Sequence, residues 1–196
     1  MLVLSYDEML VKLKKALSVH RLEHSLGVER TAVEMAKRYG ADTEKARIAG
    51  LLHDCARDIP FDVQLKMAEN FGILLDEIER SEKALIHGPL GEIIAHKYYG
   101  VQDAEILKAI RLHTTGDVNM TVLDKIIFLS DYIEPNRNFP GVDELRKKAF
   151  KDLNEAVIAA FDSTINFVIQ KKSLLHYRSV NARNYILLHE RGEGKI

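Results

Sequence analysis

Proline is the residue a helix interior tolerates least, and this chain of 196 residues holds only 4 of them, with 11 glycines. Between those breaks the apolar residues recur mostly at helical spacing, so the sequence reads as nearly all helix. Ser5 and Glu8 form a capping-box pattern ahead of a stripe of Tyr6, Leu10, Leu13 and Leu17. A second helix is predicted from about His20 to Tyr39, stopped by Gly40, and Asp42 is placed to cap a third through ARIAGLLHD, broken before Pro60. Further helices are predicted over DVQLKMAENFG, LGEIIAHKYYG, DAEILKAIRLH and TVLDKIIFLSDYI. VDELRKKAFKDL follows and continues into NEAVIAAFDSTINFVIQKK, and NARNYILLHE comes last. HTTGD, EPNRNFPG and the basic KKSLLHYRS are the connectors, and the terminal RGEGKI is expected to fray.

No repeat, low-complexity tract or Pro/Gly/Ser-rich linker divides the chain, which therefore reads as one all-α domain over residues 1–196. A chain of this length buries roughly 70% of its unfolded surface and needs no disulfide or structural metal. Any metal site must then be explained by function. With 28 basic against 29 acidic side chains, the charge balance argues against a nucleic-acid coat or a membrane-surface protein. Cys55 is alone, which suits a reducing compartment. MLVLSYDE lacks the make-up of a signal peptide, and no run of about 18 apolar residues occurs. The expectation is a soluble cytoplasmic protein with no nucleic-acid or membrane partner.

The histidines carry the chemistry. His53 and Asp54 directly follow an apolar run, where a carboxylate is costly to bury without a cationic partner. His24 in HSLG, His87 in IHGP, His113 in IRLHTTG and Asp131 in FLSDYIEPNR all have aliphatic neighbours that turn them towards the core. Core-facing His and Asp from several helices are the raw material of a metal site inside a bundle. Imidazole with carboxylate favours first-row divalent ions over calcium or an all-oxygen magnesium site.

The order His24, His53-Asp54, Asp131 resembles the H…HD…D signature of the HD-superfamily phosphohydrolases, an all-helical fold that binds divalent metal. With His87 and His113 between, it resembles the six-ligand, two-metal version. RLEHSLGV, AGLLHDCARDIP, HGPLGE, RLHTTG and DKIIFLSDYIEPNR together resemble the YqeK family, bacterial enzymes that cleave diadenosine tetraphosphate symmetrically into two ADP. The likeness runs from about Arg21 to Asn184, and no GYP-type motif of the second-messenger phosphodiesterases is present. The segment after the HD pair is CARDIP, without the acidic pair of the stringent-response hydrolases.

The resemblance implies an HD helical bundle with a catalytic core over about 20–137, completed by C-terminal helices that also close the nucleotide pocket. It implies one or two divalent transition ions, iron first and manganese or cobalt next. His24, His53, Asp54 and Asp131 would hold one ion. Asp54 would bridge to a second ion at His87 and His113, since a carboxylate has two oxygens. Such ions make hydroxide available near neutral pH, so no side-chain nucleophile is required. With a single ion, His87 or His113 is instead free to bond a phosphate or act as general acid.

Polyphosphate also calls for fixed positive charge, and Arg21, Arg57 and Arg137 are the candidates. Thr114, Thr115 and Gly116 offer phosphate or ribose contacts, while His176, Tyr177 and Arg178 are apt to stack on a base. Asp58 is a candidate outer-shell carboxylate or a cap, Lys125 a weaker candidate, and Arg183 and Asn184 pair or cap in the C-terminal region. His96 and His189 read as structural, and His20 has no assigned role. The expected partners are the nucleotide substrate and ADP, with a C-terminal helix apolar enough to serve a homodimer. The alternatives are hydrolysis of another nucleotide phosphoester and a non-catalytic nucleotide sensor.

Overall fold

Short polar side chains start the helices by accepting from amides that have no partner within the helix. Ser5 with Glu8, Asp76 with Glu79 and Thr121 with Asp124 form complete capping boxes, and Asp42, Asp103 and Asp152 cap through their carboxylates. The structure, a computed structural model, describes residues 4–189, and among these residues there are eleven α-helices and no strand. They are α1 (Tyr6–Ala16), α2 (Val19–Tyr39), α3 (Thr43–Leu52), α4 (Phe61–Asn70), α5 (Glu77–Ser81), α6 (His87–Tyr99), α7 (Ala104–Leu112), α8 (Val122–Ile133), α9 (Val142–Ala149), α10 (Leu153–Gln170) and α11 (Tyr177–His189). None is long and apolar enough to cross a membrane.

The centre is α8, buried on nearly all sides through Leu123, Ile126, Ile127, Phe128, Leu129 and Ile133. It packs against α2, α3, α7, α9 and α10, and Phe128 meets Phe161 of α10 with ring centroids 4.4 Å apart. α2 and α3 approach each other closely at Gly50, where a Cβ would lie 2.8 Å from the Glu29 Cα. A larger residue there would separate the helix carrying His24 from the one ending at His53.

Four sequence expectations need correction. The predicted continuous helix from VDELRKKAFKDL onward is two helices. Arg38 and Tyr39 at the end of α2 take the carbonyls of Phe150 and Ala149, and Asp152 restarts the chain by accepting from Glu155 N at 3.1 Å. α6 begins at His87, ahead of the expected LGEII, because Pro89 falls in the first turn, where its missing N–H costs nothing. The basic connector is helical from Tyr177 onward, with His176 Nδ1 accepting from Arg178 N at 3.1 Å. The five-residue α5 was not expected at all. RGEGKI lies outside the described residues.

Candidate active site

Helix ends deliver the site. His53 follows the last residue of α3, His113 follows the last residue of α7, and His87 opens α6. His24 comes from within α2 and Asp131 from the last turn of α8. His24, His53, Asp54, His87 and His113 are all buried, and their side chains converge on Asp54.

The two Asp54 oxygens face different groups. Oδ2 lies 3.7 Å from His24 Nε2 and 3.6 Å from His53 Nε2, while Oδ1 lies 3.1 Å from His87 Nε2 and 3.7 Å from His113 Nε2. Asp131 Oδ1 joins the first group, 2.9 Å from His24 Nε2 and 3.9 Å from His53 Nε2. The sets His24, His53, Asp131 and His53, Asp54, His113 each bring one donor atom per residue within 4.8 Å of the others.

Tautomers follow from what the outer ring nitrogens touch. His53 Nδ1 donates to Gly50 O at 2.8 Å, His113 Nδ1 donates to Ile110 O at 2.7 Å, and His24 Nδ1 lies 3.2 Å from Glu134 Oε1. Neutral, each of these rings turns an Nε2 lone pair inward. His87 is set apart. Its Nδ1 accepts from Arg57 Nη1 at 3.0 Å, and a guanidinium can only donate. The His87 proton therefore sits on Nε2, between Asp54 Oδ1 and His113 Nε2 at 2.9 Å.

Burial pushes His53 and His87 down to about 4 against the pull of Asp54, so both rings are neutral at neutral pH. Burial would raise the Asp54 and Asp131 carboxyls, but the charge that His53 gains when protonated in acid, with the hydrogen bonds of His113 and His87, holds Asp54 well below the usual carboxylate range. The hydrogen bond from His24 and the charge of Arg137 do the same for Asp131. His24 is raised, because Asp131 outweighs the opposing effect of burial. Neutral imidazoles facing two ionised carboxylates suit a divalent first-row ion.

The expected arginines surround this cluster. Arg21 Nη1 lies 2.9 Å from Asp54 Oδ2, Arg57 holds His87 and the Lys83 carbonyl, and Arg137 bonds both the Asp131 carboxylate and its carbonyl. Beside His113, the Thr114 hydroxyl is buried with no hydrogen-bond partner among the described residues, whereas Thr115 bonds the Gly116 carbonyl. His176 and Arg178 do not touch the cluster. They pair with Asp76 and Glu79 at the start of α5, each at 2.9 Å, and Ser179 ties them to the Thr115 carbonyl at 3.0 Å. Tyr177 is half exposed and stacked on His176.

Other expected residues lie elsewhere. Asp58 caps α2 by accepting from Ser18 N at 2.7 Å, and buried Lys125 bonds Asn154. Arg183 pairs with Asp162 and reaches Asn184. His96 bonds the Val101 carbonyl, His189 packs on Tyr185, and His20 is exposed. Sequence reasoning passed over Glu134, although it stands three residues after Asp131 and just before a proline. It also passed over Arg146, which binds the carbonyls of Ile133, Glu134 and Arg137 and so shapes the loop bearing the site arginine.

An all-helical bundle delivering imidazoles and carboxylates to one buried point is the architecture of the HD hydrolases. A model of the HD domain matches residues 21–136, and the chain belongs to that family. A symmetrical bis(5'-nucleosyl)-tetraphosphatase of Bacillus subtilis is 42% identical over 165 residues, covering 84% of this chain and 88% of the relative. One from Halalkalibacterium halodurans is 38% identical over 183 residues, covering 91% and 95%. The crystal structure of an HD superfamily hydrolase from Clostridium acetobutylicum, described as involved in NAD metabolism, superposes with a TM-score of 0.93 at 47% identity over 96% of this chain and all of that one.

Proposed function

We propose that this chain hydrolyses diadenosine tetraphosphate and related dinucleoside tetraphosphates symmetrically, each with one water, to two nucleoside diphosphates. The observation that carries this reading is the convergence of His24, His53, Asp54 and Asp131 on one buried point in an HD bundle closely similar to named tetraphosphatases. Those four residues would hold a divalent transition ion, iron first, with manganese and cobalt as substitutes. When bound, the ion would supply Lewis acidity and lower the pKa of water to near neutrality.

The chain's own residues do the rest. Arg21, Arg57 and Arg137 neutralise the polyphosphate, and Thr114 Oγ1 donates to one of its oxygens. His87 keeps its proton on Nε2 because Arg57 occupies Nδ1, and from there the neutral ring donates a hydrogen bond to the diphosphate that departs as an anion. In that role His87 is a donor and no metal ligand, which favours one ion over two. His113 Nε2 accepts from His87 Nε2–H and orients the ring. Tyr177 and the neighbouring His176 and Arg178 form the rim nearest the nucleoside. We further place the protein in the cytoplasm, as a single catalytic unit over residues 1–196. Its dimer face is the exposed Phe167, Ile169 and Leu188 of α10 and α11.

The test is chromatographic product analysis with Fe²⁺, Mn²⁺ or Co²⁺ beside an Asp54→Asn control. ADP as sole product, absent in the control, is the expected outcome. ATP plus AMP, or comparable phosphate release from mononucleotides, overturns the assignment.

A further inference from the structure

We propose that Glu134 is a positioning residue that fixes the tautomer of His24, and that Gly27 is the gap in α2 through which its carboxylate reaches the ring. The inference rests on the reading of His24 as a metal ligand and deepens it.

The three rings that turn a lone pair inward differ in how the outer nitrogen is held. His53 and His113 stand just past helix ends and donate to carbonyls three residues earlier, Gly50 and Ile110. His24 lies inside α2, where the helix uses its own carbonyls, so its partner must come from elsewhere. Glu134 supplies it. α8 ends at Ile133, Glu134 leaves the helical conformation ahead of Pro135, and its side chain folds back against α2, 2% exposed. Oε1 lies 3.2 Å from His24 Nδ1 and Oε2 accepts from Asn136 N at 2.8 Å.

Gly27 is three residues after His24 and on the same face. A Cβ there would lie 2.4 Å from Glu134 Oε2 and 3.2 Å from Cδ, so any side chain displaces the carboxylate.

A neutral imidazole has one proton to place. Asp131 Oδ1, 2.9 Å from Nε2, draws it to the inner nitrogen, where it would block a metal. Glu134 draws it to Nδ1 and leaves the inner lone pair for the ion. A buried carboxylate behind a ligand histidine also raises the ring's basicity as a ligand.

Calorimetric titration of metal-free protein with Mn²⁺, together with its melting temperature, tests this. Glu134→Ala and Gly27→Ala are each expected to weaken Mn²⁺ binding about 10- to 100-fold. Glu134→Gln keeps one acceptor oxygen for two donors and should fall between Glu134→Ala and wild type. The double variant Gly27→Ala/Glu134→Ala should bind no more weakly than Glu134→Ala, because the methyl group then meets no carboxylate. Wild-type affinity in both Glu134 variants, or additive losses in the double variant, overturns the proposal. A lowered melting temperature with unchanged affinity assigns Glu134 a merely structural role and does the same. If Glu134→Ala fails to fold, Glu134→Gln decides alone. A wild-type protein that binds no Mn²⁺ would sink the metal-site reading itself, an outcome distinct from any of these.

Discussion

Replacing Arg57 by alanine separates two roles that the site could assign to His87. Arg57 Nη1 donates to His87 Nδ1 at 3.0 Å and more weakly to the Lys83 carbonyl at 3.4 Å. A hydrogen bond made by a charged group contributes about 1.5–3 kcal/mol. If the bond to His87 acts only as substrate reacts, its loss lowers kcat about 10- to 150-fold, at about 1.4 kcal/mol per tenfold. Affinity for Mn²⁺ should stay level or rise, since a positive charge leaves the rim of a cation site. The guanidinium is only partly buried, so the melting temperature should scarcely move. Arg57→Lys keeps the charge without the planar fork and should recover only part of the loss. The assay is kcat and KM on diadenosine tetraphosphate, with Mn²⁺ affinity measured calorimetrically on the same preparations. Mn²⁺ affinity falling in step with turnover would refute the reasoning, because His87 would then help to hold the ion.

Asp54→Asn removes the one carboxylate shared by both halves of the cluster, and turnover should fall on the order of 10³-fold or more with Mn²⁺ binding lost. Far-ultraviolet circular dichroism should be unchanged, and a variant that still turns over would dismiss the site. Metal affinity should weaken towards acid. His24 is raised by Asp131, so a proton competes for Nε2 at and below that elevated pKa, and affinity present at higher pH is lost by up to about tenfold per unit as pH falls through it. Affinity independent of pH between 5 and 8 by titration would contradict the role of His24. Phe161→Ala empties a fully buried site against Phe128 and should cost about 3–5 kcal/mol, a fall of about 6–20 °C in Tm.

What could be read in the sequence follows how local each cause is. Ser5 with Glu8, Asp42 and Gly40 act within a turn or two of the chain, and each stands where its spacing placed it. The break between α9 and α10 was hidden because its causes, Arg38 and Tyr39, lie about 110 residues away. The roles expected of His176 and Arg178 were blind to Asp76 and Glu79 for the same reason, since α5 lies about 100 residues earlier in the chain.

The same division runs through the imidazoles themselves. His53 and His113 each take their orientation from a carbonyl three residues back, so an apolar run ending in histidine at a helix terminus already implies a ring with its Nε2 lone pair turned into the site. His24 and His87 are ordinary helix residues until a distant group selects a tautomer, and the selections are opposite. A carboxylate 110 positions away presents His24 as a lone pair, and a guanidinium 30 positions away presents His87 as a proton. Composition and order could name all four histidines, but only the acceptor or donor behind each ring divides those fit to bind a cation from the one fit to donate a hydrogen bond to a leaving diphosphate.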